Sequence, residues 1–140
     1  MPSGKVLAGL ACLLLASCGT AGQNEQTSAF SEIAQTDAIQ ATGTEPFWNV
    51  RINAGTLTYT TPEDQVGTRI PVERFAGNSG LAFNGTLAGQ QLDLLVTKGD
   101  CSDGMSDRRY SFTATLRIGE EQRSGCAWSD KQPFTGPAAP

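Results

Sequence analysis

From Tyr110 to Ile118 the chain alternates without a fault. Tyr110, Phe112, Ala114, Leu116 and Ile118 fall on one side, and Ser111, Thr113, Thr115 and Arg117 on the other. Only an extended strand has a two-residue period, so one face of this segment belongs to a core and the other meets a polar surround. Shorter runs repeat the pattern. Trp48, Val50 and Ile52 alternate with Asn49, Arg51 and Asn53, and Leu57 and Tyr59 alternate with threonines after an Ala54-Gly55 turn. Leu92, Leu94 and Val96 form another run. Leu81 and Phe83 form a strand that Asn84-Gly85 is expected to close, because that dipeptide suits a hairpin turn. Ile70 and Val72 flank Pro71, which lacks an N–H and confines its strand to an edge or a bulge. Six to eight short antiparallel strands with no helix predict a mainly β domain, a small antiparallel β-barrel or strongly curved sheet.

After Ile118, Gly119-Glu120-Glu121 turns the chain back. With Ile118 opposite Gln122, Ala114 faces Cys126 and Phe112 faces Trp128. That register puts Cys126 and Trp128, like Trp48, on the core face. A slip of one residue would turn Cys126 outward, since neighbouring side chains point to opposite faces.

The N-terminus reads as a targeting segment. Met1 to Lys5 carries one positive charge, and Val6 to Ala16 is an apolar run too short to span a bilayer as a helix. Leu15-Ala16-Ser17-Cys18 then resembles the lipobox of bacterial lipoproteins. The resemblance implies removal of residues 1–17, diacylglyceryl transfer to the Cys18 thiol, and acylation of the new N-terminus. Acyl chains on Cys18 would make the membrane a partner, since two or more chains anchor stably where one does not. The alternative is an ordinary secretory signal with an incidental cysteine. Gly19 follows, with no aspartate there, which implies the periplasmic face of the outer membrane if the cell has two membranes.

Residues 18–41 are polar and small and read as a flexible tether; about twenty such residues reach roughly 25–30 Å. Phe30, Ile33 and Ile39 within it suit a short helical turn docking on the domain. The folded β-domain is expected over 42–132, and 133–140 reads as a disordered proline-rich tail.

Four cysteines are present. On the lipobox resemblance, Cys12 would leave with the signal and Cys18 would carry lipid. Cys101 and Cys126 remain, an even pair in an exported chain, where disulfides persist. One disulfide between them is expected; two buried free thiols are the alternative. A metal site on this pair would need further ligands.

Chemistry concentrates in the run from Cys101 to Arg108. Asp103-Gly104 has turn character, with the carboxylate capping nearby amides and the glycine taking positive φ. Asp107 is expected to meet Arg108 or Arg109. Asp103, Gly104, Met105, Ser106, Asp107 and Arg108 form the candidate binding loop. An EF-hand anchored on Gly104 would need ligands at Gly99 and Cys101 and a carboxylate at Tyr110, so that register fails; a looser calcium site with Asp100 is the remaining metal reading. The chain has no histidine, which excludes Ser-His-Asp and Cys-His nucleophile systems. Paired carboxylates for glycoside hydrolysis, from this loop with Glu45 or Asp93, have no supporting spacing. A net charge of −4 argues against nucleic acid as a partner. The expectation is a non-enzymatic envelope protein without cofactor, with an envelope protein as partner.

Three motifs, Gly43-Thr44-Glu45-Pro46-Phe47-Trp48, Cys101 to Tyr110, and Ser124-Gly125-Cys126-Ala127, together resemble a family of bacterial envelope proteins, often lipoproteins, akin to the META domain of heat-shock lipoproteins. The resemblance spans the whole folded domain and implies fold and location rather than an activity. A fainter resemblance is to the membrane-bound inhibitors of C-type lysozyme, carried by Ser79-Gly80-Leu81-Ala82-Phe83 and Thr97-Lys98-Gly99. It implies that Ser79 and Lys98 enter the lysozyme cleft. The sequence departs from that pattern at Phe83, where tyrosine is expected, and at Asp93, where an aromatic residue is expected.

Overall fold

The computed structural model describes Gly4 and residues 28–138. Apart from Gly4, the signal segment, Cys18 and the tether up to residue 27 lie outside the described residues. Nine strands form one antiparallel sheet: β1 (Ile39–Thr44), β2 (Phe47–Asn53), β3 (Thr56–Thr60), β4 (Thr68–Pro71), β5 (Glu73–Ala76), β6 (Gly80–Leu87), β7 (Gln90–Cys101), β8 (Tyr110–Ile118) and β9 (Glu121–Ser129). Their spatial order is β4-β3-β2-β1-β9-β8-β7-β6-β5, so the sheet curls into a nearly closed barrel.

Two features bring the sheet round. β9 returns to pair with β1, so the two ends of the domain meet in the middle of the sheet. The two edge strands, β4 and β5, are consecutive in sequence and separated only by Val72. This segment pairs with β3 through its first half and with β6 through its second. Pro71 sits at the kink, where a missing N–H costs no ladder bond, and the Val72 N–H donates to the Gly55 carbonyl at 2.9 Å.

The inward faces follow the alternation. Trp48, Val50, Ile52, Leu57, Ile70, Leu81, Phe83, Leu92, Leu94, Val96, Phe112, Ala114 and Leu116 are all buried in one cluster. The Ala54-Gly55 turn forms as expected, with φ of 47° and 76°.

Asn84-Gly85 is not a turn. β6 runs straight through it, and the chain reverses at Ala88-Gly89, where φ is 49° and 78°. Gly85 answers a different need. A Cβ there would lie 2.8 Å from Ile70 Cγ2 and 2.9 Å from the Pro71 carbonyl, so it lets β4 close down on β6.

The domain also begins earlier and ends later than the boundaries at 42 and 132. β1 starts at Ile39, and Phe30 and Ile33 join the core. The Phe30 ring meets Phe112 edge-on at 6.2 Å, and its N–H donates to the Gly77 carbonyl at 2.7 Å. Arg74 donates to the Ile33 carbonyl at 2.7 Å. Residues 28–38 form no helix, only a single turn in which the Asp37 N–H donates to the Ala34 carbonyl at 3.1 Å; they form an arm that brings two apolar side chains to the barrel core. At the other end, Phe134 and Thr135 pack against β8 and the residue before it, so 133–138 is a docked segment.

Candidate functional site

The β8–β9 hairpin turns on two residues, Gly119-Glu120, rather than three, and Gly119 takes φ of 58°. Ile118 therefore pairs with Glu121, Ala114 with Gly125 and Thr113 with Cys126. This corrects the expected register by one residue. Cys126 shares the outer face of the barrel wall with its neighbours across the sheet, Thr113 and Thr42. Trp128 is likewise turned away from the core it was expected to join.

Cys101 reaches that face through an irregularity in β7 between Lys98 and Cys101. Strands two apart in a sheet are separated by about 9.5 Å. The Cα atoms of Cys101 and Cys126 are 5.6 Å apart, so the end of β7, still paired with β8 at Tyr110, bends over the outside of β8 toward β9. The disulfide fastens it there, and Cys126 is buried although it faces outward.

The following loop is organised by Asp103. Its carboxylate accepts from the amides of Met105 at 2.9 Å and Ser106 at 2.8 Å, from the Ser106 hydroxyl at 2.7 Å, and from the Tyr110 hydroxyl at 3.1 Å. Desolvation pushes this carboxyl upward, but the hydrogen bonds from Ser106, Met105 and Tyr110 outweigh it and hold it at about 2. Burial pushes the Tyr110 hydroxyl up. Gly104 takes φ of 72°, as expected of the turn. Asp107 does not meet Arg108 or Arg109. Arg109 lies 4.0 Å from Asp100, and Arg108 turns to the C-terminal segment. The reason is that Arg108 finds fixed carbonyl acceptors there, Pro137 at 2.8 Å and Ala138, together with the Phe134 ring at 4.4 Å.

The three motifs singled out in sequence converge on this face. A groove of about 430 Å³ beside the disulfide is lined by Thr42, Thr44, Ser102, Asp103, Thr115 and Ser124, among others. A neighbouring groove of about 220 Å³ is lined by Thr44, Phe47, Met105, Arg108, Tyr110 and Trp128, among others. Phe47 is 50% exposed and Met105 65%, so two large apolar side chains stand open at its rim. The β1–β2 turn that presents Phe47 contains a cis Glu45-Pro46 bond. Behind it, Gly43 and Gly125 make room for the buried Trp48 indole. A Cβ on Gly43 would lie 2.0 Å from Trp48 Nε1, and one on Gly125 2.0 Å from the Thr42 carbonyl. Trp48 Nε1 has no hydrogen-bond partner among the described residues.

Phe47, Trp128 and Phe134 are site residues that sequence reasoning missed. Phe47 was legible: it alternates with Trp48 and so must face outward if Trp48 faces in. Trp128 was misassigned with the register, and Phe134 carried no local signal.

Ser79 and Lys98 also come together. The Lys98 N–H donates to the Ser79 carbonyl at 3.2 Å, and both residues are exposed. The Lys98 amine is ion-paired with Glu32 of the N-terminal arm. Asp93 stands elsewhere on the outer wall and is already saturated. It accepts from Asn84 at 2.6 Å, Gln91 at 3.0 Å and Arg117 Nε at 3.1 Å, and these partners, Gln91 foremost, hold its carboxyl below the usual range. Among the described residues no group of three or more His, Cys, Asp or Glu side chains is arranged to hold a metal ion.

Comparison with protein-family models, curated proteins and solved structures finds no match to this chain.

Proposed function

We propose that this chain is a lipid-anchored cell-envelope protein that binds a partner protein through the face around the Cys101–Cys126 bridge, without a catalytic step. The observation that carries this reading is the convergence of the three motifs on one face. There a disulfide and the Asp103 network hold a loop rigid while Phe47 and Met105 remain exposed beside a groove. A preorganised loop loses little conformational entropy on binding, and apolar side chains at a groove supply the burial that drives association. The acyl anchor on Cys18 follows from the lipobox resemblance, and Gly19 after it implies the periplasmic face of the outer membrane if the cell has two membranes. The META-like family resemblance agrees with an envelope location.

Photocrosslinking in the native envelope tests this. A crosslinker at Met105 is expected to capture a defined protein, while one at Glu120 does not. Glu120 follows the far end of β8, which is about 27 Å long by strand geometry. Identical products from both positions, or none from Met105, would sink the reading.

The adjacency of Ser79 and Lys98 favours a second reading, inhibition of C-type lysozyme through those two side chains. Titration of the purified chain against C-type lysozyme separates the two. Inhibition that Lys98→Ala abolishes would support the second reading; none at micromolar excess removes it.

A further inference from the structure

The C-terminal segment lies on this face in the manner of a bound peptide. Arg109 and Thr135 exchange both backbone hydrogen bonds, at 3.0 and 2.9 Å, in an isolated antiparallel bridge. The Phe134 ring packs between Tyr110 and Trp128, each at 5.6 Å, with the Arg108 guanidinium at 4.4 Å. Arg108 Nε donates to the Pro137 carbonyl at 2.8 Å, and its terminal nitrogen donates to Ala138. Gly136 passes so close that a Cβ would lie 2.9 Å from the Asp107 carbonyl, and its φ is +106°. Backbone groups, one aromatic ring and one glycine are thus all that this surface reads.

The segment lies outside the sheet, beyond a turn held by bonds of its own. β9 ends at Ser129, and the turn after it is tied separately, by Gln132 N–H to Ser129 Oγ at 3.0 Å and Ser129 N–H to the Gln132 carbonyl at 3.2 Å. Departure beyond Gln132 would uncover Tyr110, Trp128, the backbone of Arg109 and the donor fork of Arg108. Such a surface recognises an extended chain by strand addition, with Arg guanidinium placed over an aromatic ring.

We infer that Arg108, Arg109, Tyr110 and Trp128 form a peptide-docking site that residues 133–138 occupy in cis. Its partner in trans is an extended protein segment with an aromatic residue, any residue, then glycine. This rests on the reading above that the face is a docking surface, and it names the class of partner.

The test uses the full-length chain in detergent and a fluorescent peptide, Gln-Pro-Phe-Thr-Gly-Pro-Ala-Ala-Pro. Two variants release the tail and leave Arg108, Arg109, Tyr110 and Trp128 unchanged: Phe134→Ala removes the ring of the occupying segment, and Thr135→Pro removes the amide that pairs with Arg109. A tethered tail competes at an effective concentration of about 1 mM, so the released variants are expected to bind the peptide at least about tenfold more tightly than the parent chain. Peptides with the phenylalanine or the glycine changed to alanine are expected to lose that binding, and so is a released variant that also carries Arg108→Ala.

The inference is overturned if both released variants, shown folded by their near-ultraviolet dichroism, ignore the peptide, or if the alanine peptides bind as well as the parent peptide. It is also overturned if the parent chain is a dimer at micromolar concentration that both tail variants dissociate, since the groove then holds the tail of a second copy. A persistent crosslink from Met105 with no peptide binding would leave the docking reading standing and remove only the peptide. Loss of both would remove both.

Discussion

Cys126 stands directly across from Thr113, on the outside of the barrel wall, and Cys101 crosses over β8 to meet it. The bridge joins residues 25 apart in sequence. Closing a loop of that length stabilises the fold by about 3 kcal/mol, chiefly by restricting the unfolded chain. The double variant Cys101→Ala, Cys126→Ala is therefore expected to lose about that much in urea denaturation. A change below about 1 kcal/mol would show that the bridge restrains the loop without supporting the fold.

Asp103 carries a pH dependence. Its carboxyl is held at about 2 against an ordinary 3.8. A group with a lowered folded-state pKa contributes fully above its unfolded value and loses the contribution as pH falls through the folded value. Loop order is thus expected to be lost between about pH 4 and about pH 2. Near-ultraviolet dichroism of the Tyr110–Trp128 pair, whose rings are 5.3 Å apart, reports it. Asp103→Asn should remove that step while the titration of Asp93, present in both chains, remains. An unchanged acid profile would show that Asp103 does not govern the loop.

Gly43 carries the Trp48 indole against its α-carbon. Gly43→Ala places a Cβ 2.0 Å from Trp48 Nε1, which forces the indole or the β1–β2 ladder to move. Overpacking of this kind costs about 1–3 kcal/mol. Gly99→Ala is the control, since its nearest neighbour would be Thr113 Cγ2 at 3.6 Å. The two variants should differ clearly in melting temperature; equal values would count against the packing described for Trp48.

The arm carrying Phe30 and Ile33 makes a stability prediction of its own. Phe30→Ala removes a ring buried against Phe112 and is expected to cost about 3 kcal/mol. Exposed Ser31, the next residue along the arm, serves as the comparison, and Ser31→Ala should change stability by less than about 0.5 kcal/mol. If Phe30→Ala were as mild, residues 28–38 would be an ornament to the barrel rather than part of its core.

Much of the wall was legible because burial imposes a period. The alternating residues from Trp48 to Ile52, Leu92 to Val96 and Phe112 to Leu116 fall where a two-residue repeat requires, and the cysteine pair forms its bridge; Tyr110, expected on the same core face, lies outside the core cluster against Trp128 and Phe134. The disulfide-pinned loop and the capping role of Asp103 were legible for the same kind of reason, since turn chemistry is local. Phe134 was not. A proline-rich stretch has no period, and its place depends on surfaces formed by Tyr110 and Trp128, which only the folded wall brings together.

Strand identity, the inward side of most strands and the pairing of Cys101 with Cys126 could all be read from the residues alone, because each depends on near neighbours in the chain or on a count of cysteines. Packing in three dimensions governed the rest. A two-residue rather than a three-residue turn after Ile118 moved Cys126 and Trp128 to the outer face. Asn84-Gly85 became strand because β4 presses on Gly85 from across the barrel. The arm and the tail joined the fold because Phe112, Tyr110 and Trp128 offered them buried area. Register, close approach and docking are set by contacts between distant parts of the chain, and a local pattern carries no record of them.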